Sequence, residues 1–301
     1  MITSIIFSKD RPLQLDLCLK SINRNFVNCQ NKIVIHNNSD LYSQAQQSLE
    51  AEHGNCQFWR QGKSLFRDVF AAIASCPDEY VCFFTDDDIF YSRFEVADMG
   101  FWNPLICCLS LRMGANVCER YHNGIAINNP PPRQFLQPEG YKDIIAWQKT
   151  STQYGSYWSY SLSVDGHVFK KEEILQMMDE LCFLEDMYVK RGDNRAWCQI
   201  GNGHRSEGLS ITPNQLETAL QRFWTITGNY IASPMNSVVV NSPNNSVQTT
   251  HDDNANGYQH SANTLDLLDS YILGKRIDID LIDFGQVKCP HTEINIAGAI
   301  R

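Results

Sequence analysis

Long apolar runs are missing from this 301-residue chain: no stretch of about 18 apolar residues occurs, so nothing in it reads as a membrane span. The opening Met1-Ile2-Thr3-Ser4-Ile5-Ile6-Phe7-Ser8-Lys9-Asp10 lacks the basic start, apolar stretch and small-residue cleavage site of a signal peptide. A soluble, cytoplasmic protein is therefore expected. Basic charge is short, with 25 Lys and Arg against 34 Asp and Glu and a net charge of −9. Such a chain is a poor candidate for binding a nucleic-acid backbone, although a small anion can still bind where local cations or a metal offset the carboxylates. Cysteine is plentiful at 11 residues, but no C-x-x-C pair exists and the number is odd. Neither a disulfide framework nor a zinc site follows, and reduced, mostly buried thiols are expected. Internal repeats are absent too.

What is present is a sizeable core, with 43% hydrophobic and 11% aromatic residues, which excludes global disorder. The first hundred residues alternate strand and helix. Ile2 to Phe7 and Lys32 to His36 read as buried strands, and Tyr80 to Phe84 as a third. Between the first two, Asp10 is placed to cap a helix opening at Pro12, whose Leu15, Leu19, Ile22 and Phe26 share a face. Helices are also expected around residues 41–51 and from a Ser64 cap. Strands alternating with helices imply an α/β fold with a mostly parallel sheet, whose ligands bind at the carboxyl ends of the strands.

The second half is less regular. Residues 128–139 form a proline-rich loop, Ser161 to Phe169 a strand broken by a turn, and Lys170 to Leu181 a helix. Residues 184–210 read as an excursion from the core. Thr212-Pro213-Asn214-Gln215 has the form of a capping box, residues 233–263 read as a long Asn- and Ser-rich loop, and Leu265 to Leu273 as a final helix.

The chemistry starts at Asp86-Asp87-Asp88, directly after the apolar Tyr80–Phe84 run. Adjacent carboxylates repel one another, and a strand end beside a core is a costly place for uncompensated charge. A hard divalent cation such as Mg²⁺ or Mn²⁺, which takes oxygen ligands and bridges carboxylates to phosphates, is the natural counter-ion. An acidic turn in solvent is the plainer alternative.

The order of a strand ending in Ser8-Lys9-Asp10-Arg11, a strand ending in Asn37-Asn38, and a buried strand ending in D-x-D resembles the family-2-like GT-A glycosyltransferases. The resemblance covers about the first hundred residues, and more loosely Ser163-Val164-Asp165-Gly166-His167 and Pro213-Asn214-Gln215-Leu216-Glu217. It implies one GT-A domain over 1–301, with a nucleotide-sugar-binding half (1–100), an acceptor half (101–232) and a C-terminal extension over the site (233–301). By the same resemblance Ser8, Asp10, Arg11, Asn37, Asn38, Lys63, Arg67, Asp86 and Asp87 would contact a nucleotide-diphosphate sugar. Asp86, Asp88 and His291 would hold Mn²⁺ or Mg²⁺. Arg11 as a mere ion-pair partner, Arg67 as a solvated helix face and His291 as a surface or core histidine are the structural alternatives.

Transfer to a hydroxyl acceptor, such as a glycan, with inversion requires a carboxylate base. Glu217 fits the family order best, with Asp165 and the Glu185-Asp186 pair as competitors and an ordinary first-turn acid as the structural reading. Trp147, Tyr154, Tyr157, Trp158 and Tyr160 could stack on sugar rings, with core packing at least as plausible for them. Two rival functions stay open: a sugar-phosphate nucleotidyltransferase, against which the glycine-free Ser8–Pro12 turn counts, and a non-catalytic carbohydrate-binding protein.

Overall fold

A computed structural model describes residues 1–95, 99–122, 125–152, 156–160, 162–190, 212–245 and 262–301. Its strands are β1 (Ile2–Ser8), β2 (Cys29–His36), β3 (Gln57–Arg60), β4 (Tyr80–Thr85), β5 (Asp88–Phe90), β6 (Ile106–Ser110), β7 (Glu119–His122), β8 (Ile125–Asn128), β9 (Ile144–Gln148), β10 (His167–Lys170), β11 (Tyr230–Pro234) and β12 (Val239–Asn241). The helices are α1 (Pro12–Asn25), α2 (Ser43–Glu52), α3 (Leu65–Ser75), α4 (Lys171–Lys190), α5 (Pro213–Leu220) and α6 (Thr264–Ile272).

Side chains alternate across a strand, and here the alternation divides the core in two. Ile2 and Ile6 of β1, with Tyr80, Cys82 and Phe84 of β4, face one layer with α1 and α6. Ile5 and Phe7, with Val81 and Phe83, face the other, with α3, α4 and α5. Both faces are covered, as near-continuous apolar strands require. In helix α1, Leu13, Leu15, Leu17 and Leu19 are all buried together with the polar Gln14, Asp16 and Ser21, so the helix is covered on nearly every side.

The central sheet has eight strands in the order β3-β2-β1-β4-β10-β6-β11-β9. Strands β3, β2, β1 and β4 pair in parallel, as do β6 and β11, while β10 and β9 run against their neighbours. This is a mixed α/β architecture with a mostly parallel sheet flanked by helices. The chain moves outward from β1 to β3 on one side, then returns to place β4 on the other. Strand order therefore reverses between β1 and β4, and at such a point the loops after the two strands part to leave a crevice.

Several expectations are corrected. The strand before the acidic triplet is the fourth in sequence, because the half-buried Gln57–Arg60 strand precedes it. Asp10 does not cap α1: Arg11 occupies the cap position without a side-chain bond, and the Asp10 carboxylate accepts from Ser39 instead. Ser64 does cap α3, and Thr212 with Gln215 forms the capping box of α5. Helix α4 extends to Lys190, so the excursion expected from residue 184 does not begin there; residues 191–211 lie outside the described residues. The expected loop 233–263 contains the end of β11 and all of β12, with 246–261 outside the described residues. Residues Tyr157–Ser159 form a 3₁₀ turn.

Trp147 and Trp158 are both 0% exposed and pack edge to face at 4.9 Å. The Trp147 indole N–H donates to the Trp158 carbonyl. These two rings are core, not sugar platforms; Tyr154 lies outside the described residues. Trp147→Ala is expected to cost about 3–5 kcal/mol, read as a drop in the urea midpoint, and a loss under ~1 kcal/mol would contradict this packing.

Candidate active site at the ends of β1, β4 and β6

The apolar β4 segment delivers its acidic end into the crevice beside β1. Asp86 Oδ2 accepts from the Ser8 hydroxyl and the Lys9 N–H, each at 3.0 Å. Arg11 Nη1 donates to Asp86 Oδ1 at 3.0 Å and Asp87 Oδ2 at 2.8 Å, and Arg11 Nη2 bonds the Asn245 carbonyl. Burial lifts Asp86 to about 6, with Arg11 opposing and Asp87 adding to the rise. For Asp87 burial also opposes ionisation, but Arg11 and hydrogen bonds from Thr85 and Asn241 outweigh it and hold the group below its ordinary value.

Asp88 starts β5, which pairs antiparallel with β12, so Asp88 lies opposite Asn241. Asp88 Oδ2 accepts the Thr85 N–H at 2.9 Å. The Asn241 amide nitrogen donates to Thr85 Oγ1, to Asp87 Oδ1 at 2.8 Å and to Asp88 Oδ1 at 3.2 Å. With Nδ2 assigned by those three acceptors, Asn241 Oδ1 must accept, and it lies 3.2 Å from His291 Nδ1. The His291 proton therefore sits on Nδ1, and the Nε2 lone pair faces Arg112 Nη1 at 2.8 Å. Burial and Arg112 press His291 down to about 3, which keeps the ring neutral.

Arg112 follows β6 and is 3% exposed. Its Nη1 also donates to Asp165 Oδ2 at 2.9 Å, and Asp165 Oδ1 accepts from the Thr85 hydroxyl at 3.2 Å. Asp165 is placed by the turn before β10, where Gly166 takes a φ of +65°. Glu217, in α5, accepts the Val164 N–H at 3.1 Å and hydrogen-bonds Tyr160. Burial, then Asp165, raises Glu217 to about 7. Asp88 is raised well above its usual range by burial, Asp165 and Asp87, and Asp165 is raised by burial despite Arg112.

The rim is stitched nearby. The Asp10 N–H donates to Asn38 Oδ1 at 2.7 Å, and Asp10, at a φ of +54°, takes the Ser39 N–H. The Asn37 N–H donates to the Ser8 carbonyl. The structure thus brings Ser8, Asp10, Arg11, Asn37, Asn38, Asp86, Asp87, Asp88, Asp165, Glu217 and His291 to one end of the sheet. Lys63 and Arg67 are set apart from that network: Lys63 is exposed in the loop before α3. Arg67 is exposed and paired with Asp186 at 2.5 Å, while Glu185 takes the Ser64 hydroxyl.

Arg112, Asn241, Asn245 and Thr85 carry no expectation from sequence. The signal for two of them was available: Arg112 closes the apolar Ile106–Leu111 run and Asn241 closes Val238–Val240, each a polar residue at a buried strand end.

Five carboxylates (Asp86, Asp87, Asp88, Asp165, Glu217) face two guanidiniums (Arg11, Arg112) here. The surplus is negative, and hard oxygen donors beside a neutral imidazole, whose Nε2 lone pair is occupied by Arg112, are a donor set suited to Mn²⁺ or Mg²⁺. Asp88 and His291, both bonded by Asn241, are the residues here that could hold such an ion, while the Asp86 carboxylate is taken by Ser8, Lys9 and Arg11. Among the described residues no three His, Cys, Asp or Glu side chains already converge on one point as metal ligands.

No protein-family model and no curated protein matches the chain. Among solved structures it is similar to S. aureus TarS 1–349 at 13% identity, covering 81% of this chain and 61% of that one with a TM-score of 0.43. It is also similar to the mannosyltransferase PcManGT from Pyrobaculum calidifontis, in complex with GDP-Man and Mn²⁺, at 10% identity, 84% and 58% coverage and a TM-score of 0.41. The bifunctional IspDF from Campylobacter jejuni gives 11% identity, 73% and 47% coverage and 0.31. The chain spans about three fifths of the length of the first of these. The TM-scores are low, and the fold described above rests on the chain's own strand order. No described helix is long and apolar enough to cross a membrane.

Because Glu217 is lifted from 4.5 to about 7, the folded protein holds this proton more tightly than the unfolded chain does. Its contribution to stability is present below the unfolded value and lost as pH rises through the folded one. Glu217→Gln, without added metal, is expected to melt higher than the parent at about pH 8 and at the same temperature near pH 4. Equal melting at both pH values would place Glu217 in solvent.

Proposed function

We propose that the protein is a nucleotide-sugar glycosyltransferase of GT-A type acting on a hydroxyl acceptor. The observation that carries this reading is the crevice between β1 and β4, where buried carboxylates and two arginines from five separated stretches of chain converge. Ser8, Asp10, Arg11, Asn37 and Asn38 form the donor side, and Asp165, Tyr157, Tyr160 and Glu217 the acceptor side. The three stretches 1–100, 101–232 and 233–301 then act as donor half, acceptor half and closing extension.

Glu217 is the general base. A base works best when its pKa lies near the working pH, and burial brings Glu217 to about 7. Asp165 is the weaker candidate, because one oxygen is held by Arg112 and the other by Thr85. Glu217 takes the proton of the acceptor hydroxyl as that oxygen attacks the anomeric carbon. The bond to the diphosphate breaks on the opposite side, which inverts the centre. Arg11 supplies fixed positive charge on the donor side, as a departing anion requires. A bound Mn²⁺ or Mg²⁺ would add neutralising charge at the diphosphate.

A thermal-shift screen of nucleoside diphosphates and nucleotide sugars, with and without Mn²⁺, tests the class. Stabilisation by one nucleotide sugar, stronger with metal, is expected; no response to any nucleotide would reject the reading. Glu217→Gln is expected to keep donor binding while transfer falls by about 10²–10⁴-fold. An active Glu217→Gln enzyme would move the base elsewhere. Asp88→Asn is expected to remove the metal-dependent part of nucleotide binding with the far-UV spectrum unchanged, and undiminished metal dependence would free Asp88 of that role.

A further inference from the structure

Arg112 Nη1 lies between two acceptors of unlike kind. It is 2.9 Å from Asp165 Oδ2 and 2.8 Å from His291 Nε2, and those two atoms are themselves 3.8 Å apart. A carboxylate oxygen and an unprotonated imidazole nitrogen aimed at one point are what a divalent cation takes as ligands, and here that point is filled by a guanidinium nitrogen. The arrangement is over-determined. Asn241 fixes the His291 tautomer, the backbone of Asn241 bonds that of Pro290 and Thr292, and Thr85 holds the other Asp165 oxygen. Asp88 is close by, since the Thr85 hydroxyl reaches both its Oδ2 and Asp165 Oδ1.

We infer that Arg112 is a resident cation that competes with a divalent ion for the Asp165–His291 pair, so that metal and nucleoside diphosphate bind cooperatively through it. The inference rests on the function proposed above and adds Asp165 to the metal's neighbourhood. The reasoning is electrostatic. Two cations cannot share that pair without strong repulsion in a buried site, so metal entry must drive the guanidinium off Asp165 and His291. A guanidinium buried without an anion is costly, and the phosphates of a nucleotide are a suitable replacement partner. Metal alone therefore binds poorly, because it strands Arg112. Metal with nucleoside diphosphate binds well, because the displaced charge is matched. Arg112 is in this sense a positioning residue that links two ligands. Reciprocity demands that the nucleotide improve metal affinity by the same factor that metal improves nucleotide affinity.

The test is Mn²⁺ affinity, read from the free-ion EPR signal, for the parent and Arg112→Gln, with and without UDP or GDP. The parent is expected to bind Mn²⁺ weakly alone and roughly tenfold or more tighter with the nucleotide. Arg112→Gln is expected to bind Mn²⁺ alone about tenfold more tightly than the parent and to lose most of the nucleotide's effect. Adding His291→Ala to Arg112→Gln should cancel that gain. Equal or weaker Mn²⁺ binding by a folded Arg112→Gln overturns the inference, as does a nucleotide effect that survives it. Should Arg112→Gln fail to fold, the equally neutral Arg112→Met replaces it, and a coupling as large as the parent's would be equally damaging. Nucleotide binding with no Mn²⁺ bound in either protein also overturns this inference while leaving the glycosyltransferase reading intact. No nucleotide binding at all, with or without Mn²⁺, rejects that reading instead.

Discussion

Unbalanced negative charge beneath the protein surface is the constraint around which this end of the molecule is arranged. The β4 strand cannot end in three aspartates beside a packed sheet unless partners are brought to them. The chain supplies Arg11 from the β1 turn, Asn241 from β12, and backbone N–H groups of Lys9 and Thr85. Even so, Asp86, Asp88, Asp165 and Glu217 all hold protons more tightly than free carboxylates do. A site left in this condition attracts cations and resists further anions unless a cation accompanies them. Under the proposed function, this favours a diphosphate that arrives with a divalent cation over a simple carboxylate.

The sheet itself answers to the same need. Parallel β1 and β4 lie side by side with their polar ends together, so Ser8 and Asp86 meet although 78 positions separate them. The antiparallel β10 then carries the turn with Asp165 to the same edge from the opposite direction. Helix α5, capped by Thr212 and Gln215, adds Glu217 from the face below. Asp88, Asn241 and Glu217 lie on strands and a helix, and the members in turns are held by hydrogen bonds, which suits a reaction that needs fixed dipoles rather than flexible ones.

The first hundred residues were largely legible because their information is local. Apolar runs give the strands, caps give the helices, and the strand ends mark the crevice. Gln57–Arg60 escaped because it is an edge strand, only half buried, without a continuous apolar run. Asp10 misled because its capping chemistry was satisfied by Ser39, across the loop after β2, a partner the local pattern does not reveal. The second half of the site depended on long-range placement. Asn241 lies in a polar stretch that reads as loop, yet three short apolar residues before it suffice for a strand once β5 offers a partner. Arg67 shows the converse: its position at a helix start invited a ligand role, but Glu185 and Asp186 on α4 draw its charge elsewhere.

The small ladder between β5 and β12 also has a bearing on how the molecule comes into being. It joins residues about 150 positions apart, and His291 enters fifty positions later still. Loop closure over such spans is slow compared with forming a helix or a hairpin, and synthesis delivers the N-terminal strands first. The sheet from β1 to β4 can thus assemble while the acidic turn has only Arg11 as a cation and Ser8, Lys9 and Thr85 as hydrogen-bond donors. On a ribosome-bound chain the crevice would exist before its far wall, and competence to hold a ligand would arrive as the last event of folding.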